Sequence, residues 1–194
     1  ITEGFSNLSE KRIELTKLSE RINPNYGMNI DCKDYFNLST KCINSKDPEV
    51  LLWGDSFAMH LYDGLISSYP NIKISQQTQS SCSPILGMAT THSEWDFTKA
   101  KSCIDFNQSV YDWLKETPSI KFVILSSMFY WVSQDITLDD KGSMKKTSID
   151  EIRIRFINTI KEVNKLGIGV VVVSSTHRAD FDVGKCLIKK YQFS

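Results

Sequence analysis

Three short apolar runs alternate with longer segments in which apolar residues recur every three to four positions. The runs are Val50–Trp53, Phe122–Leu125 and Ile168–Val173, and none of them contains a polar side chain. Such runs are typical of strands that are buried on both faces of a parallel sheet. A shorter candidate strand is Ile72–Ser75. The pattern therefore predicts a sheet of short, buried strands.

The segments between the runs predict amphipathic helices. They are Phe57–Ser68, Ile104–Glu116 and Ile149–Leu166, and a further helix is predicted near the N-terminus at Leu8–Ile22. The third is the clearest, because its apolar residues lie three to four positions apart throughout. Gly167 follows it directly, at the place where a glycine commonly caps a helix C-terminus.

Strands that alternate with helices of this length predict βαβ units, because parallel strands need long crossover connections. The predicted fold class is α/β, a three-layer α/β/α sandwich around a mostly parallel, flavodoxin-like sheet. In this prediction residues 49–194 form the α/β domain and residues 1–48 form an N-terminal helical and irregular extension. Ligands of such folds bind beyond the carboxyl ends of the strands.

Composition and charge narrow the class of protein. Of the 194 residues, 41% are hydrophobic and 24% are charged, which is enough apolar material for a folded core. Lys plus Arg and Asp plus Glu both number 23, so the net charge is zero and gives no basic surface for nucleic acid. No apolar stretch approaches the ~18 residues that span a bilayer.

Five cysteines bear on the redox compartment. None of them forms a Cys-x-x-Cys pair, which disfavours a zinc site or a redox dithiol, and no metal or cofactor is expected. Four divide into the local pairs Cys32 with Cys42 and Cys82 with Cys103, which predicts two disulfides and an oxidising compartment. The alternative is five buried free thiols in a cytosolic protein. Cys186 has no local partner.

Gly54-Asp55-Ser56 is the most informative tripeptide, because it joins the first core strand to the following helix. A serine at this place presents its hydroxyl in the crevice where α/β folds bind ligands. Its backbone N–H at the helix N-terminus favours a developing oxyanion, and the glycine allows a sharp turn and a close approach of substrate. The alternative interpretation is structural, since Asp and Ser are favoured helix N-caps.

The segment Val50-Leu-Leu-Trp-Gly-Asp-Ser56 and the helix after it resemble the nucleophile block of SGNH (GDSL-like) hydrolases. More narrowly, they resemble the SGNH domain fused behind the membrane domain of bacterial acyltransferase-3 proteins. Three further features fit this subgroup: a cysteine pair before the nucleophile strand, the segment Ser81–Pro84 with the later Cys103, and a strand ending at Ser126 with Trp131 soon after. The resemblance covers most of the chain.

Proteins of that subgroup transfer acyl groups, usually acetyl, to surface polysaccharides such as lipopolysaccharide O-antigen. The resemblance implies that Ser56 is the nucleophile and that its backbone N–H is an oxyanion donor. It also implies a polysaccharide acceptor, an acyl donor delivered by a membrane acyltransferase domain of the same polypeptide, and a periplasmic location as a domain of an inner-membrane protein. It implies no nucleic acid, cofactor or metal.

A serine nucleophile needs a base, which in SGNH enzymes is the histidine of an Asp-x-x-His segment near the C-terminus. The histidines of the chain are His60, His92 and His177, and none of them follows an Asp by three positions. His60 is interpreted as a surface or packing residue, His92 lies in a polar loop, and His177 follows the third core run at a ligand-facing end.

The missing base and the unpaired Cys186 lead to one prediction, that the chain is part of a longer protein. We expect roughly 40 to 70 further residues by analogy with the size of such domains. They are expected to contain a cysteine partner for Cys186 and then an Asp-x-x-His segment. A chain that starts at Ile1 without a secretory signal fits this expectation.

The usual oxyanion residues of SGNH enzymes, a Gly after the second strand and an Asn after the third, are not evident. After the predicted strand Ile72–Ser75 the chain has Gln76–Thr78, and after the Phe122 run it has Ser126–Met128. Backbone N–H groups, or the Gln and Ser side chains, are the candidates to replace them.

Two other functions remain open at this point. One is a non-catalytic glycan-binding or interaction domain that keeps the fold without the triad. The other is an esterase, either a carbohydrate esterase or a cytosolic lysophospholipase-like enzyme whose thiols are free. The aromatic cluster Phe129–Trp131 fits a sugar-stacking platform or packing of a loop on the sheet, and Lys141–Lys146 predicts a solvated loop.

Overall fold

The computed structural model describes three stretches of the chain, residues 24–91, 97–129 and 136–175. The chain divides into two compact units, and Asn25–Ser175 forms one of them. The other unit comprises the two ends of the chain and, apart from Pro24, lies outside the described residues. Every element named below belongs to the Asn25–Ser175 unit.

Some predicted features lie outside the described residues and stay predictions. They are the helix Leu8–Ile22, His92, Tyr130, Trp131, His177 and Cys186. The predicted boundary between residues 48 and 49 also stays a prediction.

The described elements alternate between strands and helices, as the apolar pattern predicts. The strands are β1 (Val50–Gly54), β2 (Ile74–Thr78), β3 (Met88–Thr91), β4 (Phe122–Ser126), β5 (Ile136–Asp139), β6 (Met144–Lys146) and β7 (Gly169–Val173). The helices are α1 (Ser56–Met59), α2 (Tyr62–Ser68), α3 (Phe97–Glu116) and α4 (Ile149–Lys165), with a single 3-10 turn at Ile30–Cys32. The predicted helix over residues 57–68 is therefore two helices, and the one predicted from Ile104 begins seven residues earlier.

Four strands form a parallel sheet in the order β2-β1-β4-β7. In the register of this sheet Gly54 lies between Thr78 and Ser126, so the carboxyl ends of the three strands are level. The chain runs from β1 to β2 on one side and to β4 and β7 on the other. Strand order thus reverses beside β1, which is where open α/β sheets bind ligands.

Helices cover both faces of this sheet, because right-handed crossovers in opposite directions place their helices on opposite faces. Leu52 and Ile74 pack with α1 and α2 on one face. Leu51, Trp53 and the alternate residues of β4 pack with α3 and α4 on the other. The fold class is therefore confirmed as a three-layer α/β sandwich with a parallel central sheet.

The limits predicted for the second strand are wrong at both ends, because β2 runs over Ile74–Thr78 and every one of its residues is buried. Its Ser-Gln-Gln-Thr sequence lacks the apolar character that predicts a buried strand. Burial is possible because each glutamine amide bonds the backbone of the N-terminal segment. Gln76 accepts from Met28 N at 2.8 Å and donates to Tyr26 O at 2.8 Å.

Gln77 makes the same kind of contact with a different part of the segment, since it accepts from Asn37 N at 3.0 Å and donates to Asn37 O at 2.8 Å. The outer edge of β2 is also covered. Ile43 forms an antiparallel bridge with Ser75, and the Cys42 carbonyl accepts from the Gln76 amide at 2.8 Å. Residues 25–48 therefore cover β2 as an integral layer of this unit.

A second, antiparallel sheet with the order β3-β5-β6 was not predicted. Its strands are three or four residues long, too short for a clear alternation of polar and apolar side chains. Leu138 of β5 is fully buried in the main core. Lys141–Lys146 is exposed throughout, as predicted, but the prediction of a loop is wrong for Met144–Lys146, which pairs with β5 as strand β6. Among the helices of the described stretches, none combines the length and apolarity that a membrane crossing requires.

Candidate active site

The turn after β1 depends on a glycine. Gly54 has φ +155°, and a Cβ built on it would lie 1.7 Å from the carbonyl oxygen of Ser126 on the neighbouring strand β4. The Asp55 amide donates to that same carbonyl at 3.3 Å. Only a residue without a side chain lets the chain leave β1 so close to β4.

Asp55 is a buried cap that fixes the start of α1, and its exposed fraction is only 3%. Its Oδ1 accepts from Phe57 N at 2.8 Å, and its Oδ2 accepts from Ser127 Oγ at 2.7 Å and Met128 N at 3.1 Å. Burial raises the pKa of the Asp55 carboxyl above its usual 3.8, and the three hydrogen bonds oppose that rise. The predicted capping role is confirmed for Asp55.

Ser56 is the first residue of α1 and is partly exposed. Within the described stretches no group bonds its hydroxyl or its backbone N–H. The amides on either side are occupied, since Asp55 N donates to Ser126 O and Phe57 N donates to Asp55 Oδ1. One residue thus presents an unpartnered hydroxyl and an unpartnered N–H at the carboxyl end of the central strand.

The ends of the neighbouring strands contribute few free donors. Because β2 extends to Thr78, the residue that follows it is Gln79, and the expectation that Gln76–Thr78 follow the strand is wrong. The Gln79 amide donates to Gly54 O at 3.0 Å, and the Met128 amide is bonded to Asp55. Neither amide is therefore available to an oxyanion in this structure.

Of the three histidines, only His60 lies within the described residues. It is exposed, as predicted, and its ring lies 6.2 Å from that of Phe57, centroid to centroid. Its backbone N–H donates to the Ser56 carbonyl at 3.2 Å, but within the described residues no hydrogen bond joins its imidazole to the Ser56 hydroxyl. The described part of the chain therefore brings no imidazole to the candidate nucleophile.

Sequence reasoning missed a buried polar network behind Asp55. Ser83 Oγ lies 2.8 Å from Ser127 Oγ, and Asn107 Nδ2 donates to Ser83 O at 2.9 Å. Asn107 Oδ1 in turn accepts from Trp53 Nε1 at 2.8 Å. One signal was present, because Asn107 occupies the apolar face of α3, where a buried amide must find partners.

The structure contains the two local disulfides, Cys32–Cys42 and Cys82–Cys103. The first lies in the segment that covers β2, where Thr78 Oγ1 donates to the Cys32 carbonyl at 2.6 Å. The second joins the loop after β2 to α3, and both of its residues are buried. The described residues hold no group of three His, Cys, Asp or Glu side chains suited to a metal ion.

Of the aromatic cluster Phe129–Trp131, only Phe129 lies within the described residues. It has φ +48°, a conformation that a bulky residue rarely adopts, directly after the carboxyl end of β4. Its ring lies 5.0 Å from that of Phe156 on α4, centroid to centroid. This contact is packing of the loop, as one of the two interpretations expects, but its partner is helix α4 and not the sheet.

Comparisons with known proteins agree with this geometry. The family model described as the SGNH domain fused to AT3 domains matches residues 31–194. A solved structure, the lipopolysaccharide acetyltransferase periplasmic domain of Salmonella ser. Paratyphi A, is similar with a TM-score of 0.57 and 17% identity. The similarity covers 98% of this chain and 64% of that one, less than two thirds of its length.

No curated protein matches the chain. At 17% identity the solved neighbour shows the fold, whereas the family match spans most of the sequence. The parallel central sheet fits the fold of the solved neighbour. The chain belongs to the family of SGNH domains fused to AT3 domains.

Proposed function

We propose that this domain transfers an acyl group, with acetyl as the expected group, to hydroxyls of a cell-surface glycan through Ser56. The observation that carries the proposal is the position of Ser56 at the carboxyl end of β1, where its hydroxyl and N–H have no hydrogen-bond partner among the described residues. Family membership supports it, and the neighbour's description as a lipopolysaccharide acetyltransferase domain supports lipopolysaccharide O-antigen as the acceptor.

The proposed reaction has two steps. First, Ser56 Oγ attacks the carbonyl carbon of an acyl donor and forms an ester, while its proton passes through a base to the donor's leaving group, which departs. The Ser56 N–H donates to the carbonyl oxygen as negative charge develops. Second, a sugar hydroxyl attacks the acyl carbon, the bond to Ser56 Oγ breaks, and the sugar's proton returns to Ser56 through the base.

The donor and the base lie outside the described residues in this proposal. Fusion to AT3 domains supports delivery of the acyl group by a membrane acyltransferase domain of the same polypeptide. The base in this scheme is a histidine, and the described residues bring no imidazole to the Ser56 hydroxyl. Two disulfides support a periplasmic location, because they persist in oxidising compartments.

The test uses the parent protein, in which the domain meets its donor and base. Ser56→Ala is expected to abolish glycan acylation and labelling by a fluorophosphonate serine probe, with unchanged circular dichroism. Ser68→Ala is the matched control, because Ser68 is an exposed serine at the end of α2 and should leave both readouts intact. Full acylation by Ser56→Ala would refute the assignment of the nucleophile.

A second candidate is a non-catalytic glycan-binding domain, which is favoured by the finding that no described imidazole reaches the Ser56 hydroxyl. It predicts that the parent protein binds the polysaccharide equally well with and without Ser56, and that the probe labels no serine of the domain. A third, a carbohydrate esterase, predicts that water accepts the acyl group. Measuring free acetate against acetylated glycan separates the esterase from the transferase.

A further inference from the structure

The hydrogen bonds that end at Asp55 form a directed chain. Ser127 Oγ donates to Asp55 Oδ2 at 2.7 Å. A hydroxyl has one proton, so Ser127 has none left for the Ser83 oxygen 2.8 Å away. Ser83 must therefore donate to Ser127. The hydrogen bonds are therefore donated in one direction, from Ser83 to Ser127 and from Ser127 to Asp55.

Helix α3 anchors the Ser83 end of this series of hydrogen bonds. Asn107 Nδ2 donates to the Ser83 carbonyl at 2.9 Å and to the Ile85 carbonyl at 3.2 Å. The disulfide Cys82–Cys103 joins the residue before Ser83 to the same helix, one turn before Asn107. Two independent attachments thus fix the position of the Ser83 backbone.

The other end of the series of hydrogen bonds is Asp55, which lies in the same turn as Ser56. Asp55 Oδ1 accepts from Phe57 N at 2.8 Å, and Ser56 lies between these two residues. Asp55 and Ser127 are buried, and their exposed fractions are 3% and 0%. Hydrogen bonds to an ionised group in such surroundings are stronger and more directional than bonds between exposed neutral groups.

We propose that Ser83 and Ser127 are positioning residues that act through Asp55 to hold Ser56 in its turn, and that the Cys82–Cys103 disulfide fixes the far end of this chain. The proposal rests on the proposed role of Ser56. Neither serine touches the substrate in this scheme. In this scheme each serine keeps the Ser56 hydroxyl and the Ser56 N–H directed at the acyl group of the donor.

The test follows the 194-residue chain by NMR in two readouts that need no activity. The Ser83→Ala variant removes the first donor but keeps the backbone carbonyl that Asn107 binds. We expect Phe57 amide exchange to accelerate by about two- to tenfold, the change that loss of one hydrogen bond between neutral groups gives. The Asp55 carboxyl, followed by its side-chain carbon, should titrate at higher pH, because its ionised form loses support.

Two further variants separate positioning from general destabilisation. Ser83→Thr keeps a hydroxyl on a partly exposed residue and should restore both readouts. Ser109→Ala is the matched control, because it removes a serine hydroxyl bond on α3 that is remote from the chain. Amides of α4 should exchange at the wild-type rate in all three variants.

The role of the disulfide is tested with the double variant Cys82→Ser and Cys103→Ser. It should show the same faster exchange of the Phe57 amide and the same shift of the Asp55 titration as Ser83→Ala. Wild-type titration of Asp55 and wild-type exchange of Phe57 in Ser83→Ala would overturn the proposal even if the double cysteine variant failed to fold. Failure of the proposed function appears elsewhere, as full acylation by Ser56→Ala in the parent protein, and leaves these NMR outcomes unaffected.

Discussion

Gly54 and Ser126 lie side by side at the carboxyl ends of β1 and β4, and a Cβ on Gly54 would fall 1.7 Å from the Ser126 carbonyl oxygen. The obstacle is backbone and belongs to a central strand. It cannot move without breaking the ladder that holds β1 to β4.

Gly54→Ala is therefore expected to destabilise the domain by roughly 3 kcal/mol or more, since overpacking and backbone strain add. The measurement is the urea midpoint of unfolding. Gly64→Ala is the matched control: this glycine lies within α2, its Cβ would meet nothing within 4 Å, and alanine favours helix by about 0.5–1 kcal/mol. Equal midpoints for the two variants would contradict the prediction.

Asp55→Asn should cost about 1–3 kcal/mol of stability. An asparagine has one acceptor oxygen, whereas Asp55 accepts backbone bonds from Phe57 on one oxygen and from Met128 on the other. Either orientation of the amide therefore leaves one backbone N–H facing an NH₂ group. Asp105→Asn is the control, because it changes an exposed ion pair on α3 and should alter the unfolding free energy by less than about 0.5 kcal/mol.

The pH dependence of this difference follows from the raised pKa of Asp55. In the folded state the carboxyl holds its proton to a higher pH than in the unfolded state. Its contribution to stability is therefore full below its usual pKa of 3.8 and is lost as the pH rises through the folded-state pKa. The unfolding free energy of wild type minus that of Asp55→Asn should fall over this range. A difference that grows with pH would show that the hydrogen bonds outweigh burial.

Gln77→Leu tests how the N-terminal segment is held to β2. Leucine fits the buried position in size but leaves Asn37 N and Asn37 O without the partners that the Gln77 amide provides. We expect a loss of about 2–4 kcal/mol and faster proteolysis of residues 25–48. Gln108→Leu, on the exposed side of α3, should leave both measurements near wild type. Unchanged proteolysis in Gln77→Leu would show that the amide contacts do not hold the segment.

The disulfides give a further prediction. Removing either pair by Cys→Ser should cost about 3 kcal/mol, because each crosslink lowers the conformational entropy of the unfolded chain. The two costs should be similar, since this entropy depends only weakly on loop length and the paired cysteines are 10 and 21 residues apart. Thiol counting on the 194-residue chain under denaturing, non-reducing conditions should find one free thiol, that of Cys186. Five free thiols would instead support the cytosolic interpretation. Faster exchange of the Phe57 amide is expected only when the Cys82–Cys103 pair is removed.

The sequence predicted the parts of the fold that hydrophobic periodicity determines. β1, β4 and β7 match the three apolar runs to within a residue, and α4 ends one residue before its predicted end, with Gly167 at φ +79° directly after the cap. β1, the core side of β4 and the inner face of α4 bury apolar side chains, so their burial is visible in the residue pattern itself. The pattern is wrong about burial in β7, where Val171 and Val172 are exposed because this strand lies at the end of the described parallel sheet.

β2 was misplaced for the opposite reason. Gln76 and Gln77 are buried because partners 40 or more residues away satisfy their amides. No local pattern records such partners. The same applies to Ser83 and Ser127, which are 44 residues apart and meet only when the loops after β2 and β4 come together. The place of Ser56 was predicted, because a strand, a glycine and a cap are adjacent in sequence, and its catalytic role stays a prediction.

Residues 25–48, which cover β2, are synthesised before β2 itself, and this determines when their disulfide can form. The chain emerges from its N-terminus, and 40 residues separate Asn37 from the glutamine that holds it. Cys32 and Cys42 are only ten residues apart, so they meet on the fast timescale of short loops while β2 is still absent. The first disulfide can therefore close in a segment that has no surface to dock on. An oxidant reaches these two sulfurs before folding and is shut out afterwards, because both are buried in the finished domain.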